Sequence, residues 1–223
     1  MIVAAVPVKD VVNAKQRLMR ILDGPERSEL ARAMLIDVLR ALAAARLDRV
    51  WVVTREPDVA GIARSLGAEP LGEPDNLGHT AAVTVAQAEA TRAGARAFLT
   101  IPGDVPCVTA QEIRALVAAG APSPAAVFAP SRSGLGTNGV LLAPPGVMRL
   151  RFGEPSFDNH LAAARALRIE PRVVRLRGLG LDVDQPDDLL ALLTEGAGTE
   201  SRALLARWRL PERLAGVRPA AHG

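Results

Sequence analysis

Residues 2–8 are Ile-Val-Ala-Ala-Val-Pro-Val and residues 50–54 are Val-Trp-Val-Val-Thr, two short apolar runs rich in β-branched side chains. Such runs are typical of strands buried in a sheet. Between them, apolar residues recur at helical spacing, namely Leu30, Ala31, Met34, Leu35, Val38, Leu39 and Leu42. The order strand, helix, strand predicts a βαβ unit with two parallel strands.

The same alternation continues along the chain. It predicts further strands at 68–71, 97–102, 126–129, 140–143 and 172–176, and helices at 57–67, 81–92, 110–119, 157–167, from 186, and within 199–208. We therefore expect an α/β fold, a three-layer α/β/α sandwich around a mostly parallel, Rossmann-like sheet. We expect one domain over 1–208 and a flexible tail over 209–223.

Composition excludes several functional classes. Aromatic residues make up 3% of the chain and tyrosine is absent, which leaves little for stacking bases, so we expect no nucleic acid partner. One cysteine, and three histidines without metal-ligand spacing, leave carboxylates as the ligands for any metal. No apolar stretch is long enough for a membrane helix. We expect a cytoplasmic protein without a membrane partner, either a monomer or a homodimer.

The basic residues are unusual. The chain has 25 arginines but 2 lysines, and both lysines, Lys9 and Lys15, follow the first apolar run. With Arg17 they place three cations in one loop. A lysine ammonium contacts a phosphate oxygen as a compact point charge, so this loop suggests a polyanionic ligand. Compositional drift is the alternative explanation.

Carboxylates follow two of the later strands. Asp104 comes after the strand at 97–102, and Asp182 and Asp184 precede the proline that begins the helix at 186. Open parallel sheets bind ligands beyond the carboxyl ends of their strands. Oxygen ligands of this kind suit Mg²⁺ held jointly with substrate phosphates. Each aspartate is alternatively a good helix cap or turn residue.

Other signatures narrow the function. The chain has no G-x-x-x-x-G-K-[ST] loop, and no G-x-G-x-x-G follows the first strand, which disfavours a P-loop kinase or a dehydrogenase. The Gly-rich segment 133–139 offers backbone N–H groups to an anion, although such segments are more often turns. Ser156 is predicted to cap the helix after it, and a helix N-terminus can also hold a phosphate or carboxylate.

An ordered set of motifs now carries a family resemblance. These are Val6-Pro7-Val8-Lys9, Ala14-Lys15-Gln16-Arg17-Leu18, Gly103-Asp104-Val105-Pro106, Gly136-Thr137-Asn138, Phe152-Gly153-Glu154-Pro155-Ser156-Phe157 and Asp182-Val183-Asp184-Gln185-Pro186. Together they resemble the 2-phospho-L-lactate guanylyltransferase family, which includes members that use phosphoenolpyruvate or 3-phosphoglycerate in the biosynthesis of the deazaflavin coenzyme F-420. The resemblance runs from the first strand to about residue 202, within the wider molybdopterin-guanylyltransferase-like fold.

The resemblance implies an enzyme that transfers GMP from GTP to the phosphate of a small acid and releases pyrophosphate. It implies catalytic roles for Lys9, Lys15 and Asp104. It implies nucleotide contacts by Val8, Lys9, Lys15, Arg17, Gly78, Thr80 and Asp104. It implies Mg²⁺ ligands at Asp104, Asp182 and Asp184, and acceptor contacts at Thr137, Gly153 and Ser156.

One departure concerns the base. The family usually has a Gly-Leu-Asn-Ala-Ala-like segment, where this chain has Gly78-His79-Thr80-Ala81-Ala82, with Thr80 in place of the asparagine. An acceptor phosphate is already anionic at neutral pH, so the reaction requires no general base. Two alternatives to this transferase stay open: a related nucleotidyltransferase acting on a sugar phosphate or molybdopterin, and a non-catalytic nucleotide-binding regulator.

Overall fold

The computed structural model describes residues 1–9, 15–72 and 78–216. The strands are β1 Ile2–Pro7, β2 Arg49–Val53, β3 Glu69–Leu71, β4 Ala97–Thr100, β5 Ala125–Pro130, β6 Thr137–Ala143 and β7 Arg172–Val173. The helices are α1 Gly24–Ala45, α2 Pro57–Ser65, α3 His79–Arg92, α4 Ala110–Ala118, α5 Ser156–Ala166, α6 Pro186–Glu195, α7 Glu200–Arg207 and α8 Leu210–Gly216. Among the described residues, no helix is long and apolar enough to cross a membrane.

The seven strands form one sheet in the order β3-β2-β1-β4-β6-β5-β7. Strand β6 runs antiparallel to both β4 and β5, and the other pairs are parallel. The predicted α/β class with a mostly parallel sheet is confirmed. Strand β6 follows β5 after a short loop without an intervening helix, so these two strands form an antiparallel hairpin and not a βαβ unit. Because it is reversed, β6 begins where the parallel strands end.

Side chains of β1 alternate between the two faces of the sheet, as strand geometry requires. Ile2, Ala4 and Val6 pack with α1, α2 and α4 on one face. Val3 and Ala5 pack with α3 and α5 on the other. Helices on both faces bury the central strands completely, which explains the continuous apolar runs in the sequence. The predicted three layers are therefore present.

Helices α6, α7 and α8 pack outside α1 around a third apolar cluster. Asp37 of α1 joins this group, because its carboxylate accepts hydrogen bonds from the backbone N–H groups of Glu200 and Ser201 and from the Ser201 hydroxyl. Leu210 is fully buried in the same cluster, and Arg213 pairs with Glu26. Packed structure thus extends into α8, past the predicted boundary at residue 208.

Local sequence signals set several helix starts correctly. The Asp23 carboxylate accepts a hydrogen bond from the Glu26 N–H at 2.8 Å, and the Glu26 carboxylate accepts one from the Asp23 N–H at 3.0 Å. Thr109 and Glu112 form the same reciprocal capping box at α4. The prediction that Ser156 caps α5 is wrong, because Pro155 occupies the cap position and Ser156 is the first helical residue.

Strand β6 starts earlier, and β7 ends sooner, than their patterns predicted. The start of β6 was predicted as part of a Gly-rich connection, because Thr137, Asn138 and Gly139 carry no apolar signal. A Cβ on Gly139 would lie 2.8 Å from the Leu179 Cδ2 and 3.1 Å from the Leu116 Cδ2. Glycine therefore serves here to let neighbouring side chains approach a buried strand.

Candidate functional site

The centre of the site is an ammonium group between two carboxylates. Lys15 Nζ lies 2.7 Å from Asp104 Oδ2 and 2.7 Å from Asp184 Oδ1. The lysine side chain is 8% exposed, whereas those of Asp104 and Asp184 are 31% and 44% exposed. The three residues are far apart in sequence, so the fold brings together the loop after β1, the segment after β4 and the segment before α6.

Backbone contacts fix this arrangement. Lys15 has φ 56° and ψ 42°, a left-handed conformation that is uncommon for a residue with a side chain. The N–H of Val183 donates to the carbonyl of Asp104 at 3.0 Å, which ties the two carboxylate segments together. Asp188 accepts hydrogen bonds from the N–H groups of Asp184 and Gln185 and so begins α6 directly after the site.

The charges of this trio depend on one another. Burial alone would lower the pKa of Lys15, but the charges of Asp104 and Asp184 and their hydrogen bonds outweigh it and raise the pKa above its ordinary value. Burial alone would raise the pKa of Asp104, but Lys15, assisted by His79, holds that pKa below its ordinary value. In both groups the attraction between opposite charges outweighs burial, so Lys15 and Asp104 are both charged at neutral pH.

Asp182 takes a different partner. Its Oδ1 accepts a hydrogen bond from Asn138 Nδ2 at 3.0 Å, and the same amide group also donates to the carbonyls of Leu179 and Gly180. Burial raises the pKa of Asp182, and the nearby charges of Asp104 and Asp184 raise it further against the Asn138 hydrogen bond. Within the described ranges, no three His, Cys, Asp or Glu side chains are arranged to hold a metal ion.

A cavity of about 260 Å³ opens beside the trio. Its polar wall includes Lys9, Lys15, His79, Asp104 and Asp184. Its apolar wall consists of Pro7, Val8, Ala31, Met34, Leu35 and Pro102. The predicted residues Val8, Lys9, Lys15 and Asp104 therefore meet at one cavity.

Lys9 reaches across this cavity to the start of α3. A Cβ built on Gly78 would lie 3.1 Å from Lys9 Nζ, and Gly78 has φ +114°, which favours glycine. Gly78 is the N-cap of α3, and within residues 1–9, 15–72 and 78–216 no side chain caps the N–H groups of the first turn. An ammonium beside the positive end of a helix dipole is unfavourable unless an anion lies between them.

A larger cavity of about 570 Å³ lies elsewhere, around Cys107, Glu112 and Glu195. Its acidic groups already have partners within the protein. Glu112 accepts from the N–H groups of Thr109 and Gly178, and Glu195 pairs with Arg132 and Arg177. Neither lysine lines this cavity, so we place the phosphate chemistry at the smaller one.

Thr137 and Ser156, both predicted to contact the acceptor acid, are the first residues of β6 and α5 and contact each other. Ser156 Oγ donates to Thr137 Oγ1 at 3.2 Å, and Thr137 Oγ1 lies 3.1 Å from His160 Nδ1. The Nε2 atom of His160 accepts from the backbone N–H of Arg151 at 3.1 Å. All three side chains are buried. The two predicted hydroxyls thus belong to one buried polar chain that includes an unpredicted histidine.

Gly153, the third residue predicted to contact the acceptor acid, lies in the turn before α5 with φ +120°. This turn is held from α3, because Thr80 Oγ1 accepts a hydrogen bond from the Phe152 N–H at 3.0 Å. The ring of Phe152 lies 4.5 Å from that of His79 and 5.1 Å from that of His160. The nucleotide contact of Thr80 stays a prediction, and in the structure its hydroxyl hydrogen-bonds to the backbone of Phe152 in the turn before α5.

One further prediction concerns a residue at the edge of the site. Arg17 lies on the exposed side of the 3₁₀ turn Gln16–Leu18, outside the wall of the described cavity. The rest of the loop after Lys9, at 10–14, and the segment 73–77 before Gly78 lie outside the described residues. The nucleotide role of Arg17 stays a prediction.

His79 and His160 were missed by sequence reasoning, although one signal was available. His160 follows Ser156 by four residues, the spacing that places two side chains on one face of a helix. Burial lowers the pKa of His79 to about 4, with Lys9 contributing and Asp104 opposing. Burial alone lowers the pKa of His160 to about 4. Both rings are therefore neutral at pH 7.

The lowered pKa of His160 predicts how the free energy of unfolding depends on pH. In the unfolded chain a histidine becomes protonated near pH 6.5, whereas in the folded protein His160 becomes protonated near pH 4. The contribution of neutral His160 to the free energy of unfolding is therefore present above pH 6.5 and is lost as the pH falls toward 4. Between pH 7 and 5 one such histidine accounts for about 2 kcal/mol. In urea unfolding, the pH dependence of His160→Phe should be weaker by about that amount; an unchanged dependence would contradict a neutral buried His160.

The amino-acid sequence matches one family of known proteins along most of its length. The family model described as "Guanylyl transferase CofC like" matches residues 2–214. A phosphoenolpyruvate guanylyltransferase of Rubrobacter xylanophilus is 38% identical over 193 residues, covering 86% of this chain and 94% of that protein. One from Sphaerobacter thermophilus is 40% identical over 188 residues, with 84% and 90% covered. A 2-phospho-L-lactate guanylyltransferase of Methanothermobacter thermautotrophicus is 34% identical over 206 residues, with 92% and 90% covered.

Solved structures share the fold at lower identity. A protein of Desulfovibrio desulfuricans G20 assigned to the nucleotide-diphospho-sugar transferases has a TM-score of 0.77 and 17% identity, with 95% of this chain and 97% of that chain covered. Rv0371c of Mycobacterium tuberculosis H37Rv, solved as a complex with manganese, has a TM-score of 0.55 and 20% identity, with 86% and 97% covered. The fold is shared with these proteins, and by the extent of its sequence match the chain belongs to the CofC-like guanylyl transferase family.

Proposed function

We propose that this enzyme transfers GMP from GTP to a phosphate oxygen of a small phosphorylated acid, in the biosynthesis of coenzyme F-420. The observation that carries the proposal is the Lys15 ammonium held at 2.7 Å from both Asp104 and Asp184, in the wall of a cavity that Lys9 also lines. A nucleotidyl transfer requires cations beside a triphosphate, and this cavity supplies two ammonium groups. The relatives' names supply the acceptor class.

Phosphoenolpyruvate is the acceptor that we propose. The two bacterial relatives at 38% and 40% identity are both named for it, whereas the relative named for 2-phospho-L-lactate is 34% identical. All of these acids carry one phosphate and one carboxylate on a short carbon skeleton. Their anionic groups fit hydrogen-bond donors better than apolar walls, as at Thr137 and the turn around Gly153.

The carboxylates fit a divalent cation, which we propose to be Mg²⁺. Asp104 and Asp184 converge on one cation, the Lys15 ammonium, and Asp182 lies near enough for their charges to add to the effect of burial in raising its pKa. Mg²⁺ typically takes one or two carboxylates together with substrate phosphates, so a complete set of three protein ligands is not required. When bound, the ion would offset the charge of the triphosphate and of the leaving pyrophosphate.

The chain's own residues then bind and orient two anions. Lys9 and the uncapped first turn of α3 hold phosphate oxygens of GTP, and Lys15 moves from the carboxylates toward the triphosphate. An acceptor phosphate oxygen forms a bond to the α-phosphorus, and the bond from the α-phosphorus to the bridging oxygen of pyrophosphate breaks. No proton is transferred in this step. Positioning and charge stabilisation therefore account for the catalysis, and a neutral His79 is no obstacle to it.

An assay of pyrophosphate release tests the proposed function. GTP, ATP, CTP and UTP are each combined with phosphoenolpyruvate, 2-phospho-L-lactate, 3-phosphoglycerate and glucose 1-phosphate. We expect release with GTP and phosphoenolpyruvate, with weaker release for the other two acids. Release that requires glucose 1-phosphate would assign the enzyme to sugar nucleotide synthesis instead, and no release with any pair would contradict catalysis.

Gly78 provides a test of the nucleotide side. In Gly78→Ala the new Cβ would lie 3.1 Å from Lys9 Nζ at a φ of +114°. The new methyl group would displace the Lys9 ammonium from the start of α3 and weaken its contact with phosphate, so we expect the KM for GTP to rise roughly tenfold, the loss typical of one hydrogen bond to a charged group. Gly67→Ala is the matched control, because Gly67 also has a positive φ of +77° but nothing within 4 Å of its Cβ position. Equal KM values for GTP in both variants would remove Lys9 and Gly78 from the nucleotide site.

A further inference from the structure

A continuous chain of hydrogen bonds lies beneath the acceptor turn. It runs from the Arg151 N–H to His160 Nε2 at 3.1 Å, and from His160 Nδ1 to Thr137 Oγ1 at 3.1 Å. Ser156 Oγ adds a donor to the same Thr137 oxygen at 3.2 Å. His160 is 2% exposed, Ser156 3% and Thr137 7%, so bulk water does not compete for these groups.

The direction of these hydrogen bonds follows from chemistry. A backbone N–H can only donate, so His160 Nε2 must offer its lone pair to Arg151. A neutral imidazole with an accepting Nε2 carries its hydrogen on Nδ1. Nδ1–H therefore donates to Thr137 Oγ1. The ring is held in one tautomer by the backbone of the acceptor turn.

This direction determines what remains at Thr137. A hydroxyl oxygen has two lone pairs and one hydrogen. Both lone pairs of Thr137 are used by His160 and Ser156, and the Thr137 hydroxyl hydrogen meets no protein acceptor among residues 1–9, 15–72 and 78–216. Thr137 is thereby left as a hydrogen-bond donor, which is the polarity that a phosphate or carboxylate oxygen requires.

The same histidine also holds the turn itself. His160 takes the N–H of Arg151 and Thr80 takes the N–H of the next residue, Phe152, so two consecutive amides before Gly153 are fixed by side chains from α5 and α3. The Phe152 ring lies between His160 and His79, and His79 lines the cavity beside Asp104. The acceptor turn is thus connected to both helices that flank it.

We propose that His160 is a positioning residue for the acceptor acid: as a fixed Nδ1–H imidazole it leaves the Thr137 hydroxyl free to donate and holds the Arg151–Gly153 turn in place. His160 does not contact the acid. The proposal rests on the proposed function, because it assigns the acid to Thr137 and this turn. A histidine that served packing alone would need neither of these two hydrogen bonds.

Nitrogen NMR tests the tautomer directly and does not depend on activity. The chain has three histidines, so a long-range ¹H–¹⁵N spectrum of the ring nitrogens at pH 7 contains three patterns. We expect a neutral ring with its hydrogen on Nδ1, and this pattern should disappear in His160→Phe. An Nε2–H ring or a charged imidazolium at position 160 would overturn the inference, whether or not any acid is a substrate.

Kinetics test the positioning role. His160→Phe keeps a ring and loses both hydrogen bonds, so we expect the KM for the acid to rise about tenfold, the loss typical of one neutral hydrogen bond, with the KM for GTP within twofold. His160→Gln offers an amide donor and acceptor and should recover much of the loss. Thr137→Val should add little to His160→Phe, because without His160 the Thr137 hydroxyl is no longer held as a donor to the acid.

The contradicting outcomes are equally specific. A KM that rises alike for acid and GTP, a His160→Gln variant no better than His160→Phe, or additive effects of His160→Phe and Thr137→Val would each overturn the positioning role. If His160→Phe does not fold, the tautomer measurement on the unmodified protein and the kinetics of His160→Gln still decide. Failure of the unmodified enzyme to use any acid would contradict the proposed function, and the NMR result separates that case.

Discussion

Asp104→Asn should reduce turnover by about 10³-fold while the protein stays folded. The carboxylate contacts Lys15 Nζ at 2.7 Å, and it is one of the two groups in the described site that converge on a single cation. The amide has nearly the same shape but no charge, so it can neither hold the ammonium as an ion pair nor bind a divalent cation strongly. Loss of one preorganised charge of this kind typically costs 10²–10³ in rate, and here two cations depend on it.

The matched control is Asp58→Asn on α2, which removes a carboxylate from its surface pair with Arg32 of α1. It should leave kcat and both KM values within twofold, since exposed pairs contribute little. Circular dichroism and thermal unfolding of both variants show whether the fold persists. Near-normal turnover in folded Asp104→Asn would remove Asp104 from the reaction and from the cation site.

Lys15→Met should also have large effects, a lower kcat and a higher affinity for a divalent metal ion. We expect kcat to fall by roughly 10²–10³-fold, because the triphosphate loses a buried cation. In the absence of nucleotide, however, Mn²⁺ should bind more tightly. The ammonium lies between the same carboxylates that the divalent ion needs. Two cations 4 Å apart repel by about 2 kcal/mol even in water when one is divalent, so we expect at least about a tenfold gain in Mn²⁺ affinity.

Titration of Mn²⁺ by electron paramagnetic resonance measures this gain. Arg64→Met, an exposed cation on α2, is the control and should leave Mn²⁺ affinity and kcat unchanged. Adding GTP should tighten Mn²⁺ binding to the unmodified protein, because the triphosphate gives Lys15 a new partner. If Lys15→Met binds free Mn²⁺ no better than the unmodified protein, the ammonium and the metal do not share Asp104 and Asp184.

Much of the fold could be predicted because local signals and the global fold agree. The capping box at Asp23 and Glu26 and the apolar face of α1 each specify a helix on their own. The reversal of β6 could not be predicted, because its direction depends on neighbours on both sides in the sheet rather than on its own residues. Its first residues are Thr137, Asn138 and Gly139, and their strand conformation follows from pairing with β5 and from close packing at Gly139.

The site was partly predictable for a related reason. Lys9, Lys15 and Asp104 follow strand ends, and all parallel strands of one sheet end at the same edge, so their meeting follows from topology. The partners of Asp182 and Thr80 could not be predicted from a parallel arrangement of strands. Asp182 meets Asn138 because β6 is reversed, and Thr80 meets Phe152 because the turn before α5 folds back onto α3. The spacing of His160 from Ser156 indicates a shared helix face, but it does not reveal the hydrogen bonds to Arg151 and Thr137 on which the proposed role depends.

Phosphorus NMR of the reaction product tests the central claim most directly. The enzyme is incubated with GTP, phosphoenolpyruvate and Mg²⁺, and the spectrum is recorded as GTP is consumed. The proposed transfer predicts two coupled phosphorus signals from a new diphosphate linkage between guanosine and the acid, together with one equivalent of pyrophosphate. Consumption of GTP to GDP and inorganic phosphate, with the phosphoenolpyruvate signal unchanged, would contradict it.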